Sequence, residues 1–188
     1  MTAFPGTPRR PPAPRIAPGG RREIGPVNTV IGRIAGIAAR TGKPPRIFAT
    51  LARHRRLFRA WLRFAGRLMP GGKLPRTDTE LVILRVSVNS GCDYEWGHHV
   101  AIGRRSGLSD EQIARVGEGP DAPGWSDDER TLLRAVDELA RDRLISDGTW
   151  AQLRTRYDER QLIELCLLAG HYEMLAGALN SLGVTPDR

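Results

Sequence analysis

The sequence predicts an all-α protein, a compact helical bundle. Apolar residues recur at three- and four-residue spacing over nearly every stretch after residue 27, the period of one helix face. Ser caps and Gly or Pro stops bracket these stretches. No segment shows the sustained period-two alternation of a half-buried strand.

Residues 1–26 contain seven prolines and five arginines and few apolar side chains. Such a segment buries too little surface to offset its ordering entropy, so a disordered or extended tail is expected. Its prolines break the amphipathic helix of a transit peptide, and it has no apolar core of a secretory signal. The helical domain is expected over 27–188. Val27, Val30, Ile31, Ile34 and Ile37 form its first stripe, stopped by Gly42 and Pro44. Residues 46–69 carry the second pattern, one amphipathic helix or a close pair. Pro70-Gly71-Gly72 breaks it. Thr77 is expected as an N-cap with Glu80 as its capping-box partner, opening a helix that runs to Val88 before Ser90-Gly91. The next pattern runs from Cys92 to about Ser106 and stops at Gly107. Ser109 caps a short helix from Asp110 to Val116, Ser126 one reaching about Arg143, and Ser146 one from Asp147 to Tyr157. The last helix, Glu159 to Leu182, is apolar nearly all round, as a central or interface helix would be.

The formal charge is +8, with 27 arginines against two lysines. Half of that excess lies in residues 1–26, so the body is only mildly basic. Arg55, Arg59, Arg63 and Arg67 lie four apart and are expected to form a solvated face. Phosphate contact by that face is disfavoured because no aromatic residues interleave on it, and no nucleic-acid partner is expected. Steering of an anionic substrate is a milder role for it. Two cysteines, Cys92 and Cys166, exclude a disulfide-rich scaffold. No run approaches the roughly 18 apolar residues of a membrane span, so a cytoplasmic setting without a membrane partner is expected.

The chemistry concentrates between Leu74 and Val116. Cys92, Glu95 and His99 are spaced i, i+3, i+7, which places them on one helix face. Glu80 lies on the preceding helix, across Ser90-Gly91. An antiparallel hairpin would return it towards His99 and Cys92. A thiol, two carboxylates and an imidazole in one low-dielectric groove would shift each other's pKa values and could shuttle protons. Tyr94, Trp96 and His171 are candidate pocket-lining residues, and His98 is expected to be exposed or at a subunit contact. The same four groups are metal-ligand types, but their spacing matches no standard zinc pattern, so neither metal nor cofactor is expected.

The stretches LPRTDTELVILRVSVNSGCDYEWGHHVAIGRRSGLSDEQI and ELCLLAGHYEMLAGALNSLGV, with RIAP at Arg15–Pro18, resemble the carboxymuconolactone decarboxylase-like family, which includes alkylhydroperoxidase D. The peroxidase branch carries a Glu twelve residues before a Cys-x-x-Cys-x-x-x-His motif. Glu80, Cys92 and His99 match that pattern, whereas Glu95 stands in place of the second cysteine, the usual attacking thiol. The resemblance therefore implies a decarboxylase-like enzyme working by proton transfer on a small anionic carbonyl or lactone compound. Glu80 and His99 would be its acid–base pair, with Glu95 and Cys92 beside them. A thiol-dependent hydroperoxide-reducing protein using Cys92 is the alternative, and a non-catalytic oligomeric or nucleic-acid-binding protein a second. The resemblance also implies a homo-oligomer, a trimer or hexamer.

Overall fold

The computed structural model describes residues 11, 13–38 and 42–187, and every regular element among them is an α-helix. In chain order these are α1 (Arg21–Ala38), α2 (Arg46–Leu51), α3 (Arg55–Leu68), α4 (Arg76–Asn89), α5 (Asp93–Ser106), α6 (Asp110–Val116), α7 (Asp127–Asp142), α8 (Asp147–Leu153) and α9 (Glu159–Leu182). The expected all-α bundle is the observed architecture.

α4 is the central helix. It packs against α5, α6, α7 and α9, and Leu81, Val82, Ile83 and Leu84 are each at most 1% exposed. Burial of four such side chains at about 1.5–3 kcal/mol each makes this turn a large contributor to the core. α4 is buried on all sides although its first turns carry Asp78, Thr79 and Glu80. Asp78 is satisfied there: the Tyr157 hydroxyl donates to it at 2.8 Å and Arg156 at 2.9 Å.

α9 was expected to be central or to lie in an interface. It does bury Leu162, Leu165, Leu168, Leu175 and Leu179, but Ile163, Leu167 and Met174 remain exposed along one side. By length and composition α9 is also apolar enough to cross a membrane, which corrects the expectation that no run approaches a span. Its window is 56% buried inside the protein, the position of a core helix.

Other boundaries differ for identifiable reasons. α4 begins at Arg76 with Pro75 at the N-cap, so Thr77 is no cap and Glu80 is no capping-box partner. Proline's fixed φ and missing N–H suit it to a helix start, which frees the Glu80 side chain to point inward. The segment 46–69 divides into α2 and α3, with His54 capping α3 through its ring nitrogen and the Leu57 N–H. α8 stops at Leu153 because Arg156 and Tyr157 turn back to Asp78. α1 opens at Arg21, inside the expected tail, and is kinked at Gly25 (φ +80°) before Pro26. The stretch before it is extended against the body: the Arg15 N–H donates to Leu182 O and the Gly19 N–H to Ala49 O, both at 2.9 Å. The tail expected over residues 1–10 and residue 12 lies outside the described residues.

Candidate active site

α4 and α5 form the expected hairpin. Gly91 takes φ +57°, a left-handed conformation that glycine adopts without a Cβ clash, and the Cys92 N–H donates to Ser87 O at 2.8 Å. Asn180 on α9 donates to Ser90 O at 3.0 Å and pins the turn. The helices then run back along each other. Gly103 faces Glu80: a Cβ there would stand 3.8 Å from Glu80 Cβ and 3.2 Å from Leu108 Cδ1.

This approach brings His99 Nδ1 to 2.7 Å from Glu80 Oε2. Glu80 is fully buried and His99 is 4% exposed. The other carboxyl oxygen lies 3.0 Å from the Arg76 guanidinium, one turn earlier on α4, a charge contact rather than a well-directed hydrogen bond. A carboxylate accepting here selects the tautomer with the proton on Nδ1, and in the neutral ring Nε2 then carries the lone pair. The edge of His99 meets the Tyr172 ring at 5.2 Å.

Glu95 is the second buried carboxyl, 2% exposed. No donor reaches either of its oxygens with good hydrogen-bond geometry. Burial pushes its pKa well above the ordinary glutamate value, and the nearby Cys92 thiol offsets this only in part. Cys92 is fully buried at the N-cap of α5, among Ile47, Tyr94, Leu175 and Leu179. The four predicted groups thus form two pairs on the hairpin, Glu80 with His99 and Glu95 with Cys92.

Glu95 and His99 line a cavity of about 210 Å³ between α2, α3, α5 and α9, and Glu80 and Cys92 are not part of its wall. Trp61, Tyr94, Glu95, His98, His99, His171 and Tyr172 contribute to its wall, with Ile47, Phe48, Met69 and Leu175. For scale, a cavity of about 150 Å³ holds benzene. His171 stacks on Trp61 at 6.1 Å, and burial lowers its pKa, so it is neutral. Trp61 Nε1 and His171 Nδ1 are buried without a hydrogen-bond partner. The wall contains no lysine or arginine.

Two placements correct the sequence-based expectation. Trp96 is absent from the wall and packs instead against the main core around α4. His98 is not exposed: it lines the cavity and stacks on Tyr94 at 6.3 Å. Burial and the neighbouring His99 lower its pKa to about 4. The side of α5 bearing His98 is covered by elements remote in sequence. The Tyr94 hydroxyl accepts from the Ile47 N–H on α2 and donates to Asp187 at 2.6 Å. Burial and Asp187 both push the Tyr94 pKa upward. Arg76, one turn before Glu80, and Trp61, on the apolar face of α3, could have been found from their helical spacing. Among the described residues, no group of three His, Cys, Asp or Glu side chains is arranged to hold a metal ion.

Fold and site define a class: an all-helical protein of the alkylhydroperoxidase D-like fold with a buried Glu–His pair across a helical hairpin. Residues 55–138 match the carboxymuconolactone decarboxylase family. YdfG, an uncharacterized protein of Bacillus subtilis (strain 168), is 26% identical over 95 residues, which span 50% of this chain and 65% of the relative. The alkylhydroperoxidase D core of an uncharacterized peroxidase-related protein from Ralstonia eutropha JMP134 superposes with a TM-score of 0.81 at 18% identity, covering 94% of each chain. A peroxidase-related protein from Silicibacter sp. TM1040 gives 0.77 at 16% identity, over 100% of this chain and 95% of the other. The debrominase Bmp8 gives 0.75 at 16% identity, over 92% and 91%. At these identities the likeness is one of fold.

Proposed function

We propose that the cavity is an acid–base site acting on a small carbonyl or lactone compound. The observation that carries this reading is Glu95: a buried carboxyl on the cavity wall, its pKa raised by burial, with only the weakly donating Cys92 thiol beside it. An unpartnered buried polar group costs stability, and such groups concentrate where a ligand completes them. Protonated Glu95 donates a proton to the carbonyl oxygen or carbon of an enolate. His99 accepts one at Nε2, with the Glu80 carboxylate orienting its ring and stabilising the imidazolium. The cavity wall lacks a cation, so the group that enters it is neutral, and any charge on the substrate stays at the mouth.

The test is proton exchange. A panel of small ketones and lactones is incubated with the protein in D2O, and loss of the α-proton signal is followed by NMR. At least one compound should exchange faster than in buffer, and Glu95→Gln and His99→Ala should each lower that rate by roughly 100-fold or more, the usual worth of general acid–base catalysis. Exchange that survives both substitutions sinks the reading. A second reading, hydroperoxide reduction at Cys92, draws on the thiol beside Glu95 and on the peroxidase-related proteins of like fold. It gains if no compound exchanges while thiol-dependent peroxide consumption is lost in Cys92→Ser and kept in Glu95→Gln.

A further inference from the structure

A recess of about 650 Å³ opens between α1 and α3, lined by Ile31, Arg56, Arg59, Leu62 and Arg63. The three arginines lie three and four residues apart, on one face of α3. All three are exposed, and among the described residues none has an ion pair or hydrogen-bond acceptor. Arg55 behaves differently: its guanidinium donates to the carbonyls of Arg22 and Glu23 and so ties α3 to α1. No acidic side chain lines the recess. Like charges at this spacing repel, and here the fold holds them around a concavity with an aliphatic floor.

We propose that this recess binds an amphipathic organic anion, a carboxylate with a short apolar chain. The charge calls for an anion. The floor of Ile31 and Leu62 calls for hydrocarbon beside it, which inorganic phosphate and a nucleic-acid backbone both lack. The concavity suits a small molecule more than a flat bilayer surface. Its volume is in the range of small-ligand sites. Leu62 also belongs to the wall of the catalytic cavity, so positive charge stands one residue away from a chamber that has none. The binding site does not depend on the acid–base reading, and its test is a binding measurement.

The full chain is titrated with octanoate by calorimetry, with 1-octanol and inorganic phosphate as comparators. Octanoate should bind saturably and at least 10-fold more tightly than either. The double substitution Arg59→Gln with Arg63→Gln should weaken octanoate binding at least 10-fold at unchanged melting temperature, since both side chains are exposed and unpaired. Arg59→Lys with Arg63→Lys should restore much of it. Glu95→Gln should leave it unchanged. The proposal is overturned if octanoate does not saturate or binds the double glutamine variant as tightly. It is equally overturned if phosphate, duplex DNA or phosphatidylglycerol vesicles are preferred. If Glu95→Gln alone abolishes binding, octanoate occupies the catalytic cavity, and the recess proposal fails while the acid–base reading stands.

Discussion

A carboxyl group shut away from water, with no strong donor nearby, holds its proton far above the pH at which an exposed one ionises. Glu95 is in that state, and its effect on stability has a definite sign. Its folded pKa is raised, so its contribution is fully present below about pH 4.3, the unfolded glutamate value, and is lost as pH rises through the folded pKa. Glu95→Gln removes the titration. The variant should match the parent near pH 4 and exceed it at pH 8, at about 1.4 kcal/mol for each unit of pKa shift removed. In a chain of this size each kcal/mol is worth about 2–4 °C in melting temperature. Calorimetry at both pH values reads this directly, and a variant no more stable at pH 8 would refute a protonated Glu95. The types and spacing of Glu80, Cys92, Glu95 and His99 were legible in the sequence because a helix fixes which side chains share a face. The inward course of His98 was not legible. A 100° turn from His99 would leave it in solvent on an isolated helix, whereas Tyr94 stacks on it and is itself tied to α2 and to Asp187.

At the scale of elements, the position of the site depends on where α4 starts, and that start is fixed from α9. Glu164 is 8% exposed and accepts the Lys73 N–H at 2.5 Å and the Leu74 N–H at 3.1 Å. Gly72 makes room for it: a Cβ there would lie 2.2 Å from a Glu164 oxygen and 2.5 Å from Leu68 O. Glu164→Ala leaves two backbone donors without partners and should cost about 2–3 kcal/mol in chemical denaturation, the range for hydrogen bonds to a charged group. Glu164→Gln keeps one acceptor oxygen and should cost less. If the alanine variant loses nothing, the loop is held by other contacts. This anchor explains what the sequence misassigned. Ser109, Ser126 and Ser146 were legible as caps because each acts on its own helix within three residues. Thr77 mimicked that signal, but the true start is set by Pro75 and by a carboxyl some 90 residues away. Hydropathy likewise marked α9 as a central or interface helix and passed over α4, since the polar turn Asp78–Glu80 disguises a helix whose polar groups find their partners inside the protein.

Across the whole molecule, the two cysteines report on how the bundle opens. Cys92 is fully buried where α2, α5 and α9 meet, whereas Cys166 is half-buried beside the main core, its thiol pKa raised by burial. Only an exposed thiolate attacks a thiol reagent, so labelling of Cys92 requires a fluctuation that separates those helices. In a Cys166→Ser background at pH 8, Cys92 should react at least 100-fold more slowly than in the same protein unfolded in guanidinium chloride. Its rate should rise with denaturant along the unfolding transition, because Ile47, Tyr94 and Leu175, which pack over Cys92, also line the cavity. Slow labelling means that a peroxide, although smaller than the reagent, must also cross a closed wall to reach sulfur. The carboxyl and imidazole on that wall then remain the groups best placed to meet a ligand. Rapid labelling of the native chain would reverse the ranking: the helices around Cys92 would part easily, and thiol chemistry would become the stronger account of the site.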